Sequence, residues 1–196
     1  MSATLHRREV VSALLDARGE LLVVAGLGSS AWDAAAAGDH DLTFPLWGAM
    51  GLAAMTGLGL ALAKPERRVL VITGDGEMLM GLGSLATIGV QKPANLSIVV
   101  LDNERYGETG MQATHTARGV DLAAVARGCG FAEARSVTQG NELPALRRAI
   151  HKGAGPVFAA VKIVAEKVPL VLPPRDGALL KARFRRALLG ESADLQ

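Results

Sequence analysis

Short, uninterrupted apolar runs punctuate this chain at residues 21–25 (LLVVA), 69–73 (VLVIT), 96–101 (LSIVVL) and 157–164 (VFAAVKIV), with a weaker run at 131–137. A strand that is apolar on both faces must be covered on both, which a parallel sheet between helices provides. Residues 4–18 place Leu5, Val11, Leu14 and Leu15 at helical spacing, and Gly19 follows as a stop. Further helices are predicted at about 49–63, 78–90, 121–128 and 141–152. The alternation predicts an α/β fold: a doubly wound, mostly parallel sheet of about five strands with helices on both faces. Residues 1–196 then form a single domain that ends in a basic helical tail at about 175–196. In that tail Leu179, Leu180, Phe184, Leu188 and Leu189 recur at helical spacing, with Lys181, Arg183, Arg185 and Arg186 between them. Such a tail suits either docking on a partner or a solvated terminal helix. Ligands of doubly wound sheets bind beyond the carboxyl ends of the strands, so the segments after Ala25, Thr73 and Leu101 are where chemistry is expected.

Composition narrows the picture. Hydrophobic residues make up 49% of the chain and aromatics only 4%, so the core must be built from Ala, Val, Leu and Ile, and disorder is excluded. The formal charge of +2, with its basic residues gathered near the C-terminus, gives no nucleic-acid footprint. Cys129 is alone and the first residues lack the apolar core of a signal peptide, which points to the cytoplasm. Residues 42–63 carry no charge and approach the roughly 20 apolar residues that cross a bilayer. Pro45, two Thr and four Gly interrupt them, so a buried helix is expected and no membrane span.

Three turns after the predicted strands carry candidate chemistry. Gly26-Leu27-Gly28-Ser29-Ser30-Ala31 has the G-x-G-x-x-A form of a dinucleotide turn, but no second strand ending in an acidic residue follows it. A glycine-rich turn before a helix still offers backbone N–H groups to a phosphate. Gly74-Asp75-Gly76-Glu77 follows the second strand, and Asp102-Asn103-Glu104-Arg105-Tyr106-Gly107 follows the third. A carboxylate, an amide oxygen and a backbone carbonyl suit a hard cation such as Mg²⁺, with phosphate oxygens completing its shell. Taken singly, each turn also reads as an ordinary strand-to-helix loop. His6, His40 and His151 have no partner pattern, and no His/Cys spacing suggests zinc.

Together, the order strand, Gly-Asp-Gly, helix, strand, Asn resembles the motif of thiamine diphosphate enzymes, and residues 20–165 resemble their diphosphate-binding (PP) domain. Asp102 stands where the first of two Asn residues is more usual; the second, Asn103, is the one the resemblance makes a metal ligand. The resemblance implies that Asp75 and Asn103 hold Mg²⁺ through their side chains and Arg105 through its carbonyl. It implies that Gly76 and Glu77, in a turn opened by Gly74, present N–H groups to the diphosphate, and that Gly26, Gly28 and Ser29 form a second phosphate loop. Gly48-Ala49-Met50-Gly51 resembles the GxMG turn of acetolactate-synthase-like and decarboxylase members. There Met50 would be an apolar wedge bending the cofactor, unless it is an ordinary core Met. Tyr106 is a further cofactor-binding candidate.

The stretch Tyr106-Gly107-Glu108-Thr109-Gly110-Met111-Gln112-Ala113-Thr114-His115 is similar to YGSTGxQ-T in sulfopyruvate decarboxylase beta subunits and phosphonopyruvate decarboxylases. That likeness implies decarboxylation of 3-sulfopyruvate or 3-phosphonopyruvate to the aldehyde and CO₂. Thr109, Gln112 and Thr114 would hydrogen-bond the substrate's second anion, and His115 would do the same or relay a proton. An acetolactate-synthase-like carboligase subunit and a non-catalytic cofactor-binding subunit are the alternatives. In the family a Glu from a pyrimidine-binding (PYR) domain promotes deprotonation of the cofactor. With one α/β domain's worth of chain, the resemblance implies a PYR-domain alpha subunit as partner, in a heteromer of at least α₂β₂, and a chain that is silent alone.

Overall fold

Six parallel strands, in the order Thr43–Pro45, Leu22–Ala25, Val69–Gly74, Leu96–Asp102, Val157–Lys162 and Glu133–Val137, form the centre of the computed structural model, which describes residues 4–195. The chain opens with α1 (Arg7–Leu15), β1 (Leu22–Ala25), α2 (Ser29–Ala36) and β2 (Thr43–Pro45). It continues with α3 (Ala53–Ala63), β3 (Val69–Gly74), α4 (Asp75–Met80), α5 (Ser84–Gln91) and β4 (Leu96–Asp102). A two-stranded hairpin, β5 (Arg105–Tyr106) and β6 (Gln112–Ala113), precedes α6 (Leu122–Gly128), β7 (Glu133–Val137), α7 (Leu143–Lys152), β8 (Val157–Lys162) and α8 (Gly177–Leu189).

The apolar runs form strands because alternate residues serve opposite cores. Val23, Leu70, Ile72, Val99 and Val161 pack against α1, α2 and α7, whereas Leu22, Val71, Ile98, Val100 and Phe158 pack against α3, α5 and α6. All five predicted strands are present, and β2 is a sixth. It is only three residues long, which leaves no apolar run to notice. The helix expected at 49–63 begins at Ala53, because Ala49 (φ 60°) and Gly51 (φ 90°) are left-handed and turn the chain first. The helix expected at 78–90 is two helices broken at residues 81–83, where Gly81 packs on the backbone of Gly51. The uncharged 42–63 stretch thus becomes β2, a turn and an eleven-residue helix. Among the described residues no helix is long and apolar enough to cross a membrane.

The basic tail docks on its own domain. Leu180 and Phe184 are buried, the Phe184 ring lies 5.5 Å from Phe44 on β2, and Arg183 donates to both carboxylate oxygens of Asp39 at 2.6 and 2.9 Å. Between β8 and α8 a strap crosses the carboxyl ends of the strands. Val164 N donates to the Leu5 carbonyl at 2.8 Å, Arg8 Nη2 to the Pro169 carbonyl at 2.8 Å, and Trp47 Nε1 to the Pro174 carbonyl at 2.9 Å.

His6 Nδ1 meets Glu166 Oε2 at 2.9 Å, and this carboxylate raises the imidazole above its ordinary pKa. A raised histidine contributes in its charged form, so the tether is complete below the unfolded-state value and is lost as pH rises through the folded one. Protection of residues 164–168 from hydrogen exchange should therefore decline across that range in excess of the intrinsic rate change. His6→Gln should remove the excess; an unchanged profile in the variant would contradict the tether.

Candidate active site

The register between β3 and β4 sets Gly74 opposite Leu101, so Asp75 and the Asp102-Asn103 pair emerge side by side at adjacent strand ends. Asp75 starts α4 and is only 2% exposed. Thr114 Oγ1 donates to its Oδ2 at 2.6 Å, and Thr116 Oγ1 lies 3.3 Å from the same oxygen. Burial pushes the Asp75 carboxyl up to about 6; the Thr114 hydroxyl opposes that shift and the charge of Asp102 adds to it. Asp102 Oδ1 accepts from Thr116 Oγ1 at 2.8 Å, and its Oδ2 faces Lys162 Nζ at 2.7 Å.

Asn103 follows directly. Its Oδ1 accepts from Arg105 N at 2.9 Å, and Glu104 (φ 61°) reverses the chain between them, so the amide and the Arg105 carbonyl belong to one tight turn. The Tyr106 ring then lies on Gly76. A Cβ on Gly76 would come within 2.7 Å of Tyr106 Cε1 and 3.7 Å of Met50 Cε, so only a glycine leaves its backbone open between these two side chains. Met50 projects from the left-handed turn before α3 and is 37% exposed.

Glu77 is buried beside this opening. Its Oε2 accepts from Thr73 Oγ1 at 2.7 Å and from Leu27 N at 3.1 Å, and burial raises its pKa. The carboxylate thereby ties the turn after β1 to α4. Gly26 is required beside it, since a Cβ there would meet the Glu77 carboxylate. Gly28 (φ 72°) supports the neighbouring loop, its Cα hydrogen facing Glu108.

These turns border a cleft of about 510 Å³. Ser29, Met50, Gly74, Asp75, Gly76, Glu77, Asn103, Arg105, Tyr106 and Thr109 all line it. Gly26 and Gly28 are buried and do not line it, and neither do the exposed Gly48 and Gln112, the latter bonded to Thr109. Thr114 is 1% exposed and its hydroxyl donates to Asp75, and His115 is exposed; neither lines the cleft formed by this chain. Sequence reasoning missed Arg7, Trp32 and the strap residues Glu166, Lys167 and Val168, which close the opposite wall. They come from distant parts of the chain with no motif of their own; the one local signal is Glu9, His6 and the two Arg at the start of α1, a cluster too common to single out.

The donor set fits a hard cation: one carboxylate, one amide oxygen and one backbone carbonyl beside a glycine-lined opening. Among the described residues no group of three His, Cys, Asp or Glu gathers, so a soft-metal centre has no comparable donors. The first-turn N–H groups of α4, which have no partner within the helix, suit an anion beside that cation.

Residues 27–161 match the family described as thiamine pyrophosphate enzyme, C-terminal TPP binding domain, and the chain belongs to that family. Within it, the chain is 37% identical to the sulfopyruvate decarboxylase subunit beta of Methanothermobacter thermautotrophicus, over 97% of this chain and 99% of that one. It is 41% identical to the subunit of the same name from Methanocaldococcus jannaschii, over 64% of this chain and 66% of that one. The phosphonopyruvate decarboxylase of Streptomyces viridochromogenes is 46% identical over 62% of this chain, which spans only 30% of that protein. A solved benzoylformate decarboxylase from Polynucleobacter necessarius shares the fold, with a TM-score of 0.68 at 22% identity over 85% of this chain and 34% of that one.

Proposed function

We propose that this chain is the diphosphate-binding, beta-type subunit of a thiamine diphosphate-dependent 2-oxo acid decarboxylase acting on 3-sulfopyruvate or 3-phosphonopyruvate. A partner carrying the PYR domain completes its active site. The observation that carries this reading is the pairing of Asp75 and Asn103 at adjacent strand ends, in a chain that aligns end to end with a decarboxylase beta subunit. Asp75, Asn103 and the Arg105 carbonyl would hold Mg²⁺, and the N–H groups of Gly76 and Glu77 would bind the diphosphate. Bound there, the cofactor supplies the electron sink that decarboxylation of a 2-oxo acid requires. Tyr106 and Met50 stand beside the Gly76 backbone, where they would border the bound cofactor. On the cleft wall Lys167 lies next to Glu166, Arg7 is paired with Asp33 at 2.8 Å, and Thr109 places a hydroxyl at the hairpin tip, so Lys167 and Thr109 would be this chain's contacts to a substrate anion.

The partner reading is supported by the surface of α3. Leu52, Met55 and Leu62 recur at helical spacing with Gly59 between them and all are exposed, Met55 by 37% and Leu62 by 51%. Apolar side chains repeated along one face suit burial against another chain. With thiamine diphosphate and Mg²⁺, the purified chain should release no CO₂ from either substrate, and adding a PYR-domain partner chain should restore release. Met55→Glu combined with Leu62→Glu should abolish co-purification of the two chains while leaving the circular dichroism of this one unchanged. Full activity from this chain alone would overturn the partner reading, and acetolactate formation from pyruvate would replace decarboxylation by carboligation.

A further inference from the structure

Two buried hydroxyls beside the cleft have a place in the site beyond packing. Thr114 and Thr116 flank His115 on the arm that leaves β6; both are buried, while Gln112, Ala113 and His115 are exposed. Thr114 Oγ1 lies 2.6 Å from Asp75 Oδ2, Thr116 Oγ1 lies 2.8 Å from Asp102 Oδ1, and the two hydroxyl oxygens are 2.9 Å apart. Each hydroxyl has one proton to donate. The shortest bonds assign that of Thr114 to Asp75 and that of Thr116 to Asp102. The pair therefore stands between two buried carboxylates from adjacent strand ends, with Lys162 as the countercharge on the far side of Asp102.

We infer that Thr114 and Thr116 are positioning residues for the cation: Thr114 holds the Asp75 carboxylate by Oδ2 so that Oδ1 is left to the ion, and Thr116 holds Asp102 beside it. The inference rests on the reading of Asp75 as a metal ligand. A carboxylate plane has no strong torsional preference of its own, because the last Asp torsion is broad. Repulsion from Asp102 would turn an unsupported Asp75 away. The hydroxyl of Thr114 is itself fixed: Ala113 pairs with Arg105 in the hairpin, and Thr114 N donates to the Glu104 carbonyl at 3.1 Å. One hairpin thus ties the Asp75 carboxylate to the same turn that carries Asn103 and Arg105, so the three donors are set relative to one another before an ion arrives. Partners that orient a metal ligand typically contribute about 10–100-fold in metal affinity.

The test uses Mn²⁺ as a spectroscopic probe, titrated into the full-length chain with thiamine diphosphate present, with free Mn²⁺ read by electron paramagnetic resonance. Thr114→Val, which keeps the shape and removes the hydroxyl, should weaken Mn²⁺ binding about 10–100-fold. Thr114→Ser should restore most of it. Thr116→Val should weaken binding too, and supplies the comparison if Thr114→Val does not fold. Hydroxyl-free variants that bind like the wild type, while Asp75→Ala does not, overturn this inference alone. A Thr114→Ser variant as weak as Thr114→Val overturns it as well, because packing and not the hydroxyl would then be responsible. Asp75→Ala indistinguishable from the wild type overturns the ligand reading beneath it.

Discussion

Asp75→Ala is expected to remove Mg²⁺-dependent binding of thiamine diphosphate, by more than the factor of about 100 that marks the upper range for residues acting through a ligand. Asp75 is the one anionic donor in the proposed set; the Asn103 amide and the Arg105 carbonyl are neutral, and a hard divalent cation held by these alone keeps little advantage over its hydrated form. The fold should survive. The carboxyl is buried where ionisation is disfavoured, so its removal takes away a like charge beside Asp102, and the Thr114 hydroxyl keeps Thr116 as a partner at 2.9 Å. Calorimetric titration of the cofactor with and without Mg²⁺, together with urea unfolding of both proteins, separates the two effects. Unaltered, Mg²⁺-dependent binding by the variant would remove Asp75 from the site.

Gly81→Val should damage both the fold and the cleft. A Cβ at Gly81 would collide with the Gly51 carbonyl, and Gly51 is held at φ 90° in the turn that carries Met50. Backbone cannot swing aside as a long side chain can, so the turn must shift. Overpacking of this kind costs about 1–3 kcal/mol, and in a chain of this size each kcal/mol lowers the melting temperature by roughly 2–4 °C. Because Met50 moves with the turn, cofactor affinity should fall in the same variant. Gly83→Ala is the matched control. Nothing lies within 4 Å of its Cβ, and the residue is exposed at φ −61°, so stability should hold or rise. Equal melting temperatures for the two variants would show that the contact between Gly51 and Gly81 does not hold the turn.

The strands and the paired turns were legible because each is written locally. A run such as VLVIT needs cover on both faces wherever it lies, and Gly-Asp-Gly after it needs only the strand end to be placed. Asn103 was found the same way, and the register of β3 with β4 then brought it beside Asp75. What escaped depends on contacts between distant residues. The break at Gly81 follows from Gly51, thirty positions earlier, approaching its backbone. Thr114 looks like a loop residue beside a cleft until the hairpin folds it onto Asp75, thirty-nine positions away. α2 is eight residues long and mostly Ala and Ser, too short and too uniform to show a periodicity, and β2 is too short to show a run. The strap carries no regular pattern, yet its attachments to α1 and Trp47 put Glu166, Lys167 and Val168 into the cleft wall.

The hairpin divides labour between its arms and its tip. Its arms are held by pairing and by the buried threonines, whereas residues 107–110 at the tip are exposed and face the cleft through Glu108 and Thr109. Changes at the tip should therefore leave the proposed cation ligands undisturbed. For an engineer seeking a new substrate, those four positions are the ones to randomise first, with cofactor affinity as the property that should stay constant across the library.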